Sequence, residues 1–175
     1  MQRIAIDMDE VAADTLGHYL QLYNAEFKLA LTKEHLHGKR VMEAIDKAHV
    51  PRAREYFQTE SFFADIPVMP GSAETVEELM TRYEVFITTA AMDVPCSFTA
   101  KFQWLQKHFP FIPARHVVFC GDKSIIAADY LIDDDVRHFR GFKGEGILYT
   151  APHNVNEKAF RRVNNWQDVR ALFMS

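Results

Sequence analysis

Arg3-Ile4-Ala5-Ile6-Asp7-Met8-Asp9-Glu10-Val11 is the stretch on which the fold turns. Ile4, Ala5 and Ile6 are apolar on both alternations, the pattern of a strand covered on two faces, as parallel strands are. The run stops abruptly at two carboxylates two residues apart. At a strand end such a pair points to one side and repels itself. Taken alone, Asp7 and Asp9 fit a solvated turn as well as a reactive site.

Working outward, four more short apolar runs follow: Glu84–Thr88, His116–Cys120, Tyr130–Ile132 and Gly146–Tyr149. They alternate with stretches of helical periodicity, which predicts an α/β protein with a parallel sheet. A helix is expected over Pro95–His108, with Phe98, Phe102 and Leu105 along one stripe. Ser72 is the expected cap of a helix over Ala73–Arg82, and Asn156–Val163 and Trp166–Phe173 read as closing helices. Between the first two strands lies far more chain than one crossover needs. Leu16, Tyr19, Leu20, Tyr23 and Phe27 recur there at helical spacing, a further helix is expected over Val41–Ala48, and Pro51 suits the first turn of another. Residues 15–66 therefore read as a helical insert able to form a lid, with residues 1–14 and 67–175 as the core.

The other strand ends carry chemistry too. Tyr130-Leu131-Ile132 runs into Asp133-Asp134-Asp135, and two acidic clusters closing neighbouring strands need a cation. Oxygen-only ligands select a hard ion, and magnesium, with waters and a substrate phosphate, fits better than calcium. The histidines are scattered, His35 and His37 being the closest pair, with no cysteine at metal spacing, which argues against zinc. Phe86-Ile87 leads into Thr88-Thr89, hydroxyls able to hold a phosphate oxygen, and Phe119-Cys120 leads into Gly121-Asp122-Lys123. Each has an ordinary reading as a turn. Together they converge where open parallel sheets bind ligands, beyond the carboxyl ends of the strands.

Composition sets the outer limits. The chain has 175 residues, 48% hydrophobic and 25% charged, which suits one globular domain. A net charge of −4 without a basic run excludes a duplex nucleic acid or an anionic membrane as the expected partner. The first apolar run is too short for a signal sequence or a membrane span. Two cysteines, Cys96 and Cys120, both expected in apolar surroundings, imply no disulfide framework and point to a reducing cytoplasm.

The order Asp7-x-Asp9, Thr89, Lys123, Asp133-Asp134 resembles the haloacid dehalogenase (HAD) superfamily of phosphatases. Within it the chain is similar to the 5′(3′)-deoxyribonucleotidases, through Ala13-Asp14, Phe62-Phe63 before Pro70-Gly71, Phe86-Ile87-x-Thr89, Lys101-x-x-Trp104 and Ala128-Asp129-x-Leu131-Ile132-Asp133-Asp134. It departs from that pattern at Glu10, where glycine is usual, at Ala90, often serine, and at Asp135, where an arginine can occur. The resemblance implies a Rossmann-like sheet with the first strand central, flanked by the strands carrying Thr89 and Asp133-Asp134, and a helical cap between the first two motifs.

The resemblance also implies roles. Asp7 is the expected nucleophile and Asp9 the acid and base. Lys123, Thr89 and backbone N–H groups near Met8 and Asp9 would hold the phosphate. Magnesium would be held by Asp7, the Asp9 carbonyl and Asp134, with Asp133 as a further ligand or orienting Lys123. Of the aromatic group Tyr56, Phe57, Phe62 and Phe63, Phe57 is the expected base-facing residue. Lys101 either adds charge near the phosphate or snorkels to solvent. The expected substrate is a small phosphomonoester, a deoxynucleoside monophosphate, and a homodimer is compatible with the sequence. The rival readings are a phosphatase of sugar phosphates or other small phosphomonoesters, and a non-catalytic metal-binding regulatory domain.

Overall fold

The computed structural model describes residues 1–175. Six parallel strands form one sheet in the order β3-β2-β1-β4-β5-β6. They are β1 (Arg3–Asp7), β2 (Glu84–Thr89), β3 (Val117–Phe119), β4 (Tyr130–Asp133), β5 (Glu145–Tyr149) and β6 (Arg161–Val163). The expectation of a parallel sheet with β1 between β2 and β4 is met. Ile4, Ala5 and Ile6 have no exposed surface, as a strand covered on both faces requires. Register places Asp7 beside Thr88, and Ile6 beside Ile132, so the polar ends of β1, β2 and β4 come out together.

Between β1 and β2 the chain makes α1 (Thr15–Phe27) and three short helices, α2 (Val41–Ala44), α3 (Val50–Glu55) and α4 (Glu60–Ala64), before α5 (Ser72–Leu79). α6 (Phe98–His108) links β2 to β3 and packs against α4, while α7 (Trp166–Met174) packs against α5. The chain passes out to the helical segment and back side by side. Asp14 N–H donates to Pro67 O at 2.8 Å and Met69 N–H to Ala12 O at 2.9 Å. Two indoles secure these connectors. Trp166 Nε1–H donates to Val11 O at 2.8 Å and Trp104 Nε1–H to Ile66 O at 2.7 Å. No helix is long and apolar enough to cross a membrane.

Several local expectations are corrected. The expected helix over Asn156–Val163 is absent, and its last three residues form β6 on the edge of the sheet. Arg162 is held there by Asn154 O and Glu157 O, partners a helix would have turned away from it. Ser72 is not a cap. Its Oγ–H donates to Ala12 O, and Gly71, at φ +79°, occupies the cap position that a side chain would strain. The helix over Val41–Ala48 ends at Ala44, because the Asp46 carboxylate takes the Ala48 N–H in a competing local turn. The buried side of α6 is Ala100, Lys101, Trp104 and Leu105, so the stripe is rotated from Phe98 and Phe102. Cys96 is exposed; only Cys120 is buried.

Candidate active site

Lys123 lies in a turn beyond β3 whose first residue, Asp122, accepts the Ser124 N–H. That turn sends the lysine side chain beneath the sheet's end, where it is 1% exposed. Its ammonium donates to Asp7 and to Asp133 Oδ2, the latter at 2.5 Å. Burial opposes that charge, but the two carboxylates outweigh it and hold the lysine protonated above its ordinary range. Asp133 Oδ1 accepts the Asp135 N–H at 2.9 Å, which fixes the loop after β4.

One ammonium does not neutralise this group. Asp7, Asp133 and Asp134 each present an oxygen within 4.8 Å of the others. Burial, with the charges of Asp133 and Asp9 added, pushes the Asp7 carboxyl up to about 7 despite Lys123. Asp134 is pushed well above its ordinary value by burial and then by Asp133, Asp7 and Glu10. Three converging carboxylates, all of them driven toward the neutral form, make an all-oxygen donor set that fits a hard divalent cation. The Asp9 carboxylate stands outside that set.

Asp9 is gripped at both oxygens. Thr15 Oγ1–H donates to Oδ1 at 3.0 Å, and Lys101 Nζ donates to Oδ2 at 2.5 Å. Lys101 also donates to Thr89 Oγ1 at 3.0 Å, lies 5.2 Å from the Phe63 ring centre and is 4% exposed. It therefore does not snorkel. Burial works to raise the Asp9 pKa, but the charge and hydrogen bond of Lys101 and the Thr15 hydroxyl outweigh it, and the carboxyl lies below its ordinary value. Thr89 Oγ1–H reaches Asp9 Oδ2 at 3.3 Å, whereas Thr88 spends its hydroxyl on Ile6 O. One expected phosphate donor is lost: Met8 N–H donates to Thr88 O at 3.0 Å across the sheet.

Glu10 adopts φ +60°, a conformation glycine takes without strain. Its carboxylate accepts the Leu16 N–H at the start of α1 and lies 3.6 Å from Lys33, which ties the loop after β1 to the helical segment. Burial raises this carboxyl to about 7 against the pull of Lys33.

A cavity of about 190 Å³ opens from Asp9 and Asp134 toward the helical segment, with Leu16, Val41 and Phe57 among its apolar walls and Lys39, Arg40 and His153 among its polar ones. Phe57, the expected base-facing residue, lines this cavity. Tyr56, Phe62 and Phe63 are buried in packing instead. A larger hollow, about 660 Å³, lies between α1, α3 and α4 and contains none of the reactive carboxylates. Arg40 and His153 were not singled out from sequence. His153 follows β5, and a fifth polar strand end, Pro152-His153-Asn154, was the available signal. The Arg40 guanidinium, on the helical segment, reaches Asp135 at 2.8 Å. Asp135, read from sequence as a member of the acidic cluster and a departure from an arginine, thus accepts one.

The whole chain, residues 1–175, matches the family described as 5′ nucleotidase, deoxy (pyrimidine), cytosolic type C. The chain belongs to this family. A Staphylococcus epidermidis member, provisionally named a 5′(3′)-deoxyribonucleotidase, is 47% identical over 174 residues, covering 99% of this chain and 97% of its own. The 5′(3′)-deoxyribonucleotidase of Bacillus subtilis is 39% identical over 167 residues, covering 95% of each. A Bacillus subtilis HAD-type hydrolase solved with magnesium superposes with a TM-score of 0.61 at 11% identity, covering 99% of each chain, and so shares the fold.

Proposed function

We propose that the protein hydrolyses deoxynucleoside monophosphates through an aspartyl-phosphate on Asp7, with Asp9 as acid and base. The observation that carries this reading is the pairing of a nucleophile and an acid-base group that are held separately. Asp7 is fixed by Lys123, and Asp9 by Lys101, Thr89 and Thr15. Full-length similarity to the deoxyribonucleotidases supports it.

In the first half-reaction an Asp7 oxygen attacks phosphorus, the bond from phosphorus to the ester oxygen breaks, and Asp9 gives that oxygen its proton. In the second, water attacks the phosphorus, Asp9 takes the water proton, and Asp7 leaves as a free carboxylate with inorganic phosphate released. Lys101 favours the ionised Asp9 that the second half needs. The incoming phosphate competes for Lys101 and brings negative charge beside Asp9, which favours the protonated form that the first half needs. Lys123, the Thr89 hydroxyl and the Asp9 N–H hold the equatorial oxygens, and losing one such donor costs about 3–4 kcal/mol in the barrier. Magnesium held by Asp7, the Asp9 carbonyl and Asp134, beside an Asp133 occupied by Lys123, would keep Asp7 ionised and offset phosphate charge.

Residues 15–66 act as the cap that selects the substrate. Leu16, Val41 and Phe57 offer an apolar wall beside the reactive carboxylates, which suits a planar base better than a polyhydroxyl sugar. Stacking on Phe57 is worth about 1–3 kcal/mol. Free thiols at Cys96 and Cys120 favour a reducing, cytoplasmic setting.

A panel of deoxynucleoside monophosphates and sugar phosphates, assayed with magnesium and with chelator, tests this reading. The expected result is metal-dependent release of phosphate, with kcat/KM highest on the nucleotides. Equal or better turnover of sugar phosphates would overturn the substrate, and turnover unaffected by chelator would overturn the metal.

A further inference from the structure

Three successive carboxylates run from the last residue of β4 into the loop beyond it, and Asp134 is the one that no lysine or arginine pairs with; the ring of His153 faces it instead, Nε2 lying 3.7 Å from Oδ2. The Asp134 carboxylate nevertheless presents an oxygen within 4.8 Å of Asp7 and Asp133, so the placement of its backbone decides where that oxygen stands. The Asp134 carbonyl accepts two hydrogen bonds, both from the loop after β5. Asn154 Nδ2–H donates at 2.8 Å and His153 Nε2 lies at 3.1 Å. A carbonyl only accepts, so Nε2 carries the hydrogen.

Asn154 is itself immobile. It is 2% exposed and uses every polar atom of its side chain. Nδ2 also donates to Tyr149 O at 2.8 Å, while Oδ1 accepts from Ala151 N at 3.2 Å and from Arg162 Nη1 at 2.8 Å. A flipped amide would set its NH₂ against two donors, so only one orientation is allowed. Arg162 stands on β6, the edge strand, and its other hydrogen bonds to Thr150, Asn154 O and Glu157 hold it in place.

We propose that Asn154, braced by Arg162 and joined by His153, is the positioning residue that sets the Asp134 carboxylate for metal binding. The inference rests on the metal-dependent phosphatase reading. The sheet edge thereby acts on the metal ligand through one amide, without touching substrate. Groups that orient a ligand in this way typically govern affinity by about 10- to 100-fold.

The test is calorimetric titration of metal-stripped protein with Mg²⁺ alone, followed by turnover as a function of Mg²⁺. Asn154→Ala should weaken Mg²⁺ binding about tenfold and raise the Mg²⁺ concentration for half-maximal turnover in parallel, with kcat at saturating Mg²⁺ falling no more than about threefold. His153→Ala and Arg162→Met should shift both in the same direction by less. If Asn154→Ala does not fold by circular dichroism, these two variants decide. Unchanged Mg²⁺ affinity in the folded variants, or a fall in kcat that excess Mg²⁺ does not relieve, overturns the proposal. Wild-type protein that binds no Mg²⁺ would sink the phosphatase reading and this inference with it; wild-type binding matched by the variants would sink only the inference.

Discussion

Lys101 is the side chain on which the acid-base chemistry turns. It is buried on α6 against Asp9 and Thr89, and without it only the Thr15 hydroxyl and the charge of Lys123 would oppose the effect of burial on the Asp9 carboxyl. Lys101→Met should therefore move the acidic limb of the kcat profile upward by about a unit or more. Because an ionised Asp9 is needed to activate water, the phosphoenzyme should accumulate in an acid quench; an unmoved limb with no trapped phosphate would rule this out. Asp7→Asn removes the nucleophile and should cut turnover by on the order of 1,000-fold or more, with the fold intact by circular dichroism. Asp7, Asp9, Thr89, Lys123, Asp133 and Asp134 were legible because each closes an apolar run, and parallel strands bring such ends together. Lys101 was not. Lysines on amphipathic helices ordinarily snorkel, and only a carboxylate from another segment of the chain turns this one inward. Met8 failed as a phosphate donor for a related reason: the β1–β2 register decides which N–H groups are already spent.

At the scale of elements, the tip of the helical segment touches the core across the cavity from its connectors. Gly38 N–H donates to Pro152 O at 2.8 Å, and Arg40 pairs with Asp135, which also holds Arg137 at 3.0 Å. Arg40 is more than half exposed, so its pair is worth at most about 1 kcal/mol. Arg40→Ala should raise the nucleotide KM about two- to fivefold, and Asp135→Ala should add nothing further in the double variant. Additive losses would show that the two side chains act separately. The sixth strand escaped sequence reading because Arg161-Arg162-Val163 has no alternation of its own. It exists by pairing with β5 and by the hydrogen bonds of Arg162, both of them long-range facts. The central strands needed no such help, since their apolar runs specify burial on both faces.

The whole molecule should carry the electrostatic cost of its site. Burial raises Asp7 and Glu10 to about 7, so between pH 5 and 7 the folded state holds protons that the unfolded chain has released. Stability of the metal-stripped protein should then fall as pH rises through this window, by on the order of a few kcal/mol. The depressed groups, Asp9 and Asp135 among them, act in the opposite sense and only at lower pH, as it falls through their folded values. Calorimetric Tm of stripped protein should decline from pH 5 to 7, magnesium should restore it, and Glu10→Gln should flatten the slope; a Tm that rises with pH would contradict this balance. The hydrogen bonds of the two indoles carry a different consequence. The chain has only two tryptophans, and each is anchored to a carbonyl of one connector, Val11 or Ile66. Intrinsic fluorescence excited at the indole band is thus a built-in optical gauge of the two connectors, reporting any change around them in real time without an attached dye.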